Sequence, residues 1–271
     1  MSLRLEMLQV ARLARTLLGD EASALVEAYV RSQQNADGGF RDRDGESDLY
    51  YTSFAIDALT ALQVPLPEES LNAFLESRMA LLDELDFVHL CCLARCSSAL
   101  ATRPAAAKLA PVYERIEAYR TPDGGYNQSD DDETGSAYAC FLAYGAYADH
   151  GLPLPDPAGV ARCLDSLKTE GGAWANDVEL PIPNVPATAA AVTLCPRLLC
   201  PTFSPPPSRS TPSMDSRSVL RKRKISSSIS SILSGPPRAA FTAPGMMTTS
   251  TSNTPTTDSS PSGISPSDRP A

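Results

Sequence analysis

The sequence predicts an all-α chain of repeated helical hairpins followed by a disordered tail. Three observations predict it. Apolar residues recur at helical spacing through the first two-thirds of the chain, a glycine-pair turn returns ahead of strongly apolar segments, and the composition changes abruptly after residue 195. The 271 residues are 42% hydrophobic and only 6% aromatic, with 24 prolines, which fits one globular body plus a less ordered extension. Residues 1–195 hold 29 Asp and Glu against 14 Lys and Arg, whereas residues 196–271 hold 3 against 9. An acidic body without a clustered basic surface excludes nucleic acid as its partner. Glu6, Arg12 and Arg15 interrupt the Leu-rich start, so neither a signal peptide nor a membrane span is expected. Seven cysteines with no secreted-type spacing point to reduced thiols and a cytoplasmic protein.

The first 34 residues read as a helical pair. Leu3, Met7, Val10, Ala14, Leu17 and Leu18 fall on one helical stripe, and Asp20 suits the cap of a second helix ending near Gln33. Asp37-Gly38-Gly39-Phe40 is a turn signal, followed by a polar loop and by an apolar segment opening at Asp48, which belongs inside. The cassette returns as Asp123-Gly124-Gly125-Tyr126 before a segment opening at Gly135, and as Gly171-Gly172-Ala173-Trp174 before one opening at Asn184. A copy without glycines opens at Asp86. These inner-helix starts recur at a period of about 40–50 residues, that of an outer helix, a loop and an inner helix. Outer helices are expected at Glu68 to Ala80, Ala105 to Tyr119 and Pro157 to Lys168. Each Gly-Gly reads as a connector that needs positive φ.

The strings QQNADGGFRDRDGESDLYYTSFAIDAL and YRTPDGGYNQSDDDETGSAYACFLA resemble the repeat of protein prenyltransferase β subunits and squalene cyclases, closest to the geranylgeranyl transferase β subunit, over residues 28–195. The resemblance implies an α/α toroid of about six hairpins around a central cavity. It also implies zinc as cofactor, held by an Asp, a Cys two residues on and a distant His, and an isoprenoid diphosphate as substrate. Transferred residue by residue, it puts Arg43 near the diphosphate and Asp48 at the metal, but Tyr50 stands where Cys is required and the partner His is not identified. His89 with Cys91, Cys92 and Asp86 does not converge on one point of a helix, so those cysteines read as core. Cys140 and Cys163 read the same way.

Asp130-Asp131-Asp132-Glu133-Thr134 resembles the acidic motif with which squalene-type cyclases protonate an alkene. The acid role requires a protonated carboxyl in an apolar cavity, and four adjacent carboxylates otherwise read as a solvated helix N-terminus. Arg41 and Arg43, interleaved with Asp42, Asp44 and Glu46, form a mixed-charge surface loop. Tyr50, Tyr51, Phe54, Tyr138, Phe141, Tyr144 and Trp174 are expected to line or fill the centre.

Of the last 76 residues, 41 are Ser, Thr or Pro, the signature of a disordered segment. Four inner helices are fewer than a six-hairpin ring needs. Read in a shifted frame, the codons of Thr202 to Ser216 and of Ala239 to Ile264 are compatible with two further copies of the repeat, making the tail a frame-shifted remainder of the toroid. Genomic DNA tests this. Three functions therefore stand open: isoprenoid transfer to a cysteine thiol, implied by the resemblance; a non-catalytic toroid binding an apolar ligand or a partner protein; and a terpene cyclase built on Asp130 to Asp132.

Overall fold

The computed structural model describes residues 2–102, 104 and 106–198. The Ser/Thr/Pro-rich segment after Leu198, including both stretches read in the shifted frame, lies outside them. The described part is mainly helical: α1 (Leu3–Ala11), α2 (Leu13–Ser32), α3 (Leu49–Ala61), α4 (Glu68–Met79), α5 (Phe87–Ala99), α6 (Ala106–Glu117), α7 (Ala137–Asp149), α8 (Pro157–Ser166) and α9 (Val185–Leu198). The polar loop after the first glycine pair is not wholly irregular. It pairs β1 (Phe40–Arg41) with β2 (Ser47–Asp48), antiparallel.

Helices α3, α5, α7 and α9 pack side by side in sequence order as one inner layer, with α4 and α6 against α5 and α8 against α7 and α9. Each inner helix starts where the repeat places it, because a short polar side chain takes an orphan amide of its first turn. Asp48 accepts from the Tyr51 amide at 2.9 Å, Asp86 from His89 at 2.9 Å, Ser136 from Ala139 at 3.2 Å and Asn184 from Ala187 at 2.8 Å. The third cap falls on Ser136, one residue past Gly135. The final helix continues through Pro196 to Leu198, beyond the compositional break at 195.

The glycine pairs are structurally equivalent. Gln34 bridges Phe40, Arg120 bridges Tyr126 and Lys168 bridges Trp174, each across six residues. Gly38, Gly124 and Gly172 all have positive φ. At Gly38 the demand is doubled, since a Cβ there would lie 2.0 Å from the Ser70 carbonyl oxygen at the start of α4. Two threonines complete the device. Thr52 Oγ1 accepts the buried Phe40 amide at 2.9 Å, and Thr188 Oγ1 accepts that of Trp174 at 3.0 Å. The turn is thus anchored to the inner helix that follows it.

The core runs through all four inner helices, with Leu59, Leu90, Leu93, Ala143 and Ala191 fully buried. Cys91, Cys92, Cys96, Cys140, Cys163 and Cys195 are free thiols in it, packed as small apolar residues. Burial pushes the Cys92 thiol up to about 12, which keeps it protonated and unreactive.

The N-terminal stripe is a correction. The second rod does begin near Asp20, because Gly19 breaks α2 with φ +77°. However, Met7, Val10 and Leu17 face solvent, with Leu17 85% exposed, and the face that α1 buries is Leu3, Arg4 and Leu8. The reason is tertiary: α1 lies against α3 and α7, where acidic side chains receive Arg4.

Candidate functional site on the inner helix layer

The caps of α3 and α5 bring three titratable groups together at the N-terminal rim of the layer. His89 Nε2 lies 2.6 Å from Asp48 Oδ2 and its Nδ1 lies 2.7 Å from Asp86 Oδ1. The bonds to Asp48 and then Asp86 outweigh burial and raise the imidazole to about 10, so it stands as an imidazolium donating from both nitrogens. Burial alone would push both carboxyls up, but their hydrogen bonds to His89 hold each below its ordinary range. The histidine that the sequence did not pair with Asp48 is therefore His89, contributed by the repeat copy that lacks glycines. Its position at the first turn of an inner helix, the same register as Tyr51 in α3, was the signal for it.

This donor set brings a histidine to Asp48 but lacks the thiolate of the implied zinc site. The imidazole stands between its two carboxylates and bonds one through each nitrogen, so Asp48 and Asp86 lie on opposite sides of the ring rather than converging on a common point. Tyr50 supplies no thiolate. Cys91 and Cys92 are buried in the core, and no group of three or more potential ligands gathers for a metal among the described residues.

Below the rim, Tyr50 and Phe54 form one face of α3 with rings in edge contact at 4.8 Å, and Tyr51 stands edge-on to Tyr50 at 6.1 Å. Burial first, and the nearby Tyr50 side chain second, raise the phenol of Tyr138 on α7. Phe54 remains 56% exposed, an uncommon state for a ring on a packed layer. Trp174 fills rather than lines: it is buried and its indole donates to the Leu164 carbonyl at 2.8 Å.

At the C-terminal end of the same helices lies a buried ionic group. Arg95 Nε donates to Asp149 Oδ2 at 3.1 Å and reaches toward Asp57 at 3.9 Å, while Arg4 Nε of α1 donates to Asp57 Oδ1 at 2.5 Å. The inner layer thus presents a carboxylate–imidazolium rim, an aromatic band and a mixed-charge end, all on α3, α5 and α7.

The remaining sequence candidates are elsewhere. Arg43 is exposed in the loop between β1 and β2. Asp130, Asp131 and Asp132 are exposed in the loop before α7, in water rather than in the apolar cavity that an acid initiator requires. Among the described residues no helix is long and apolar enough to cross a membrane. No protein-family model matches the chain, and no curated protein matches it.

Proposed function

We propose that the chain is a prenyltransferase-like repeat protein that binds an apolar ligand of isoprenoid type on the aromatic band of α3 and α7. The observation that supports this is the exposed Phe54 ring in edge contact with Tyr50, an apolar surface bordered by polar groups at both ends. Titration with dansyl-labelled geranylgeranyl diphosphate tests it. Saturable binding that Phe54→Ser weakens at least about tenfold supports the reading, since loss of a buried aromatic contact is worth 1.4 kcal/mol or more. Binding unchanged by Phe54→Ser and Tyr138→Ala removes it.

A second reading, isoprenoid transfer to a cysteine thiol, is favoured by the meeting of Asp48 with a distant histidine at an inner-helix start. The substitution of Tyr50 for the thiolate ligand weighs against it. Incubation with geranylgeranyl diphosphate, zinc and a cysteine-ended peptide separates the two. A thioether product by mass spectrometry supports transfer, and binding without product leaves the ligand-binding reading. The cyclase reading has no comparable support, because its three aspartates are solvated.

A further inference from the structure

The end of the inner layer remote from the rim carries a site that the chain fills with its own N-terminus. Helix α1 bridges α3 and α7 above Arg95. Its hold is mainly polar: Ser2 Oγ donates to Asp149 Oδ1 at 2.6 Å, the Arg4 amide reaches the same oxygen at 3.2 Å, and Arg4 Nε bonds Asp57. Glu6 pairs with Arg197 of α9, and Arg15 donates to the Leu62 carbonyl at 3.2 Å. Only Leu3 and Leu8 add fully buried apolar side chains, while Leu5, Met7, Val10, Leu13 and Leu17 lie in solvent.

Three features of the docked helix and its seat bear on whether α1 can leave. Arg4 is buried yet its Nη2 has no partner, so the fit is incomplete where the guanidinium enters. Without the Arg4 guanidinium, the site retains Asp57 and Asp149 against Arg95, one carboxylate in excess that a second cation would balance. Gly19 interrupts the rod: its φ is +77° and no atom lies within 4 Å of where a Cβ would be, so the segment before it joins the rest of α2 through an uncrowded glycine break.

We propose that Asp57, Arg95 and Asp149 form a binding site for a peptide segment presenting a guanidinium or ammonium group between aliphatic side chains, and that α1 is its displaceable intramolecular occupant. The segment Leu3, Arg4 and Leu8 is the cis copy of that ligand. A short tether holds it at an effective concentration of about 1 mM or more, so a competitor must overcome a resident already in place. The site stands apart from the isoprenoid reading and does not depend on it.

The test uses the full chain and a peptide of residues 1–12 labelled at its C-terminus with fluorescein. In fluorescence anisotropy, the Arg4→Glu chain, whose own helix is repelled by Asp57 and Asp149, should bind the peptide saturably. The wild-type chain should bind it at least tenfold more weakly, and a peptide carrying Arg4→Glu should not bind the variant chain. A Ser2→Ala/Glu6→Ala chain, which loosens α1 without burying a like charge, should fall between. Equal binding by wild type and variants, or no binding by variants that keep helical circular dichroism and cooperative unfolding, overturns the proposal. So does loss of folding in both variants, because α1 would then be an integral part of the core.

Discussion

Replacing His89 by Gln removes the cation between Asp48 and Asp86 while keeping an amide of similar reach. A rise of the imidazole from 6.5 to about 10 corresponds to a ceiling of about 5 kcal/mol between its two protonation states. Solvent reduces this, because the cluster is on a rim and the Asp86 side chain is 53% exposed, leaving an expected net contribution of about 2–3 kcal/mol. The folded value lies above the unfolded one. The stabilisation is therefore complete below about pH 6.5 and is lost as pH rises toward 10. At the acid end, the two carboxyls are held below their ordinary range, so their share disappears only as pH falls through those lowered values. Urea midpoints of wild type and His89→Gln at pH 6, 8 and 10.5 read the difference. The wild type should exceed the variant by about 2–3 kcal/mol at pH 6, with the gap nearly closed at pH 10.5. A gap that does not change with pH would show that His89 contributes packing and not charge, and would refute the imidazolium assignment.

Gly38→Ala should destabilise the fold by well over the cost of Gly45→Ala, about 1–2 kcal/mol for positive φ alone, because only Gly38 also meets the Ser70 carbonyl; thermal melts of the pair isolate the collision. Thr52→Val strands the buried Phe40 amide and should cost about 1–3 kcal/mol, and Thr188→Val should repeat the effect at Trp174, measured by urea titration. Asp149→Asn leaves Arg95 without its closest carboxylate and should cost about 3–5 kcal/mol, a drop of about 10 °C in Tm by calorimetry. Salt should restore little of that loss, since Asp149 and Arg95 are shielded from solvent.

Much of the fold was legible in one dimension because its determinants are local. A glycine pair that must take positive φ, a short polar residue that caps a helix, and an apolar segment too greasy for the surface each act within a few residues, so their recurrence fixed four inner helices and three outer ones within about two residues at most ends. The core role of the cysteines followed from the same logic. The N-terminal stripe was misread because amphipathic spacing says which residues share a face and not what that face meets. Arg4 is buried through Asp57, 53 residues away, and Ser2 through Asp149, 147 residues away.

The candidate site was legible only in pieces. Asp48 and Tyr50 were marked by their place after the first turn, but the contact between Asp48 and His89 spans 41 residues and two repeats. Repeat copies that differ in their residues share a register only once the helices stack, and this register sets the Asp48–His89–Asp86 rim. By itself, the amino-acid order determined where helices start, where turns demand glycine and that the helices are buried in series. Tertiary structure alone decided which charges meet, because ionic partners are chosen by distance in space, and the chain carries no local record of its distant neighbours.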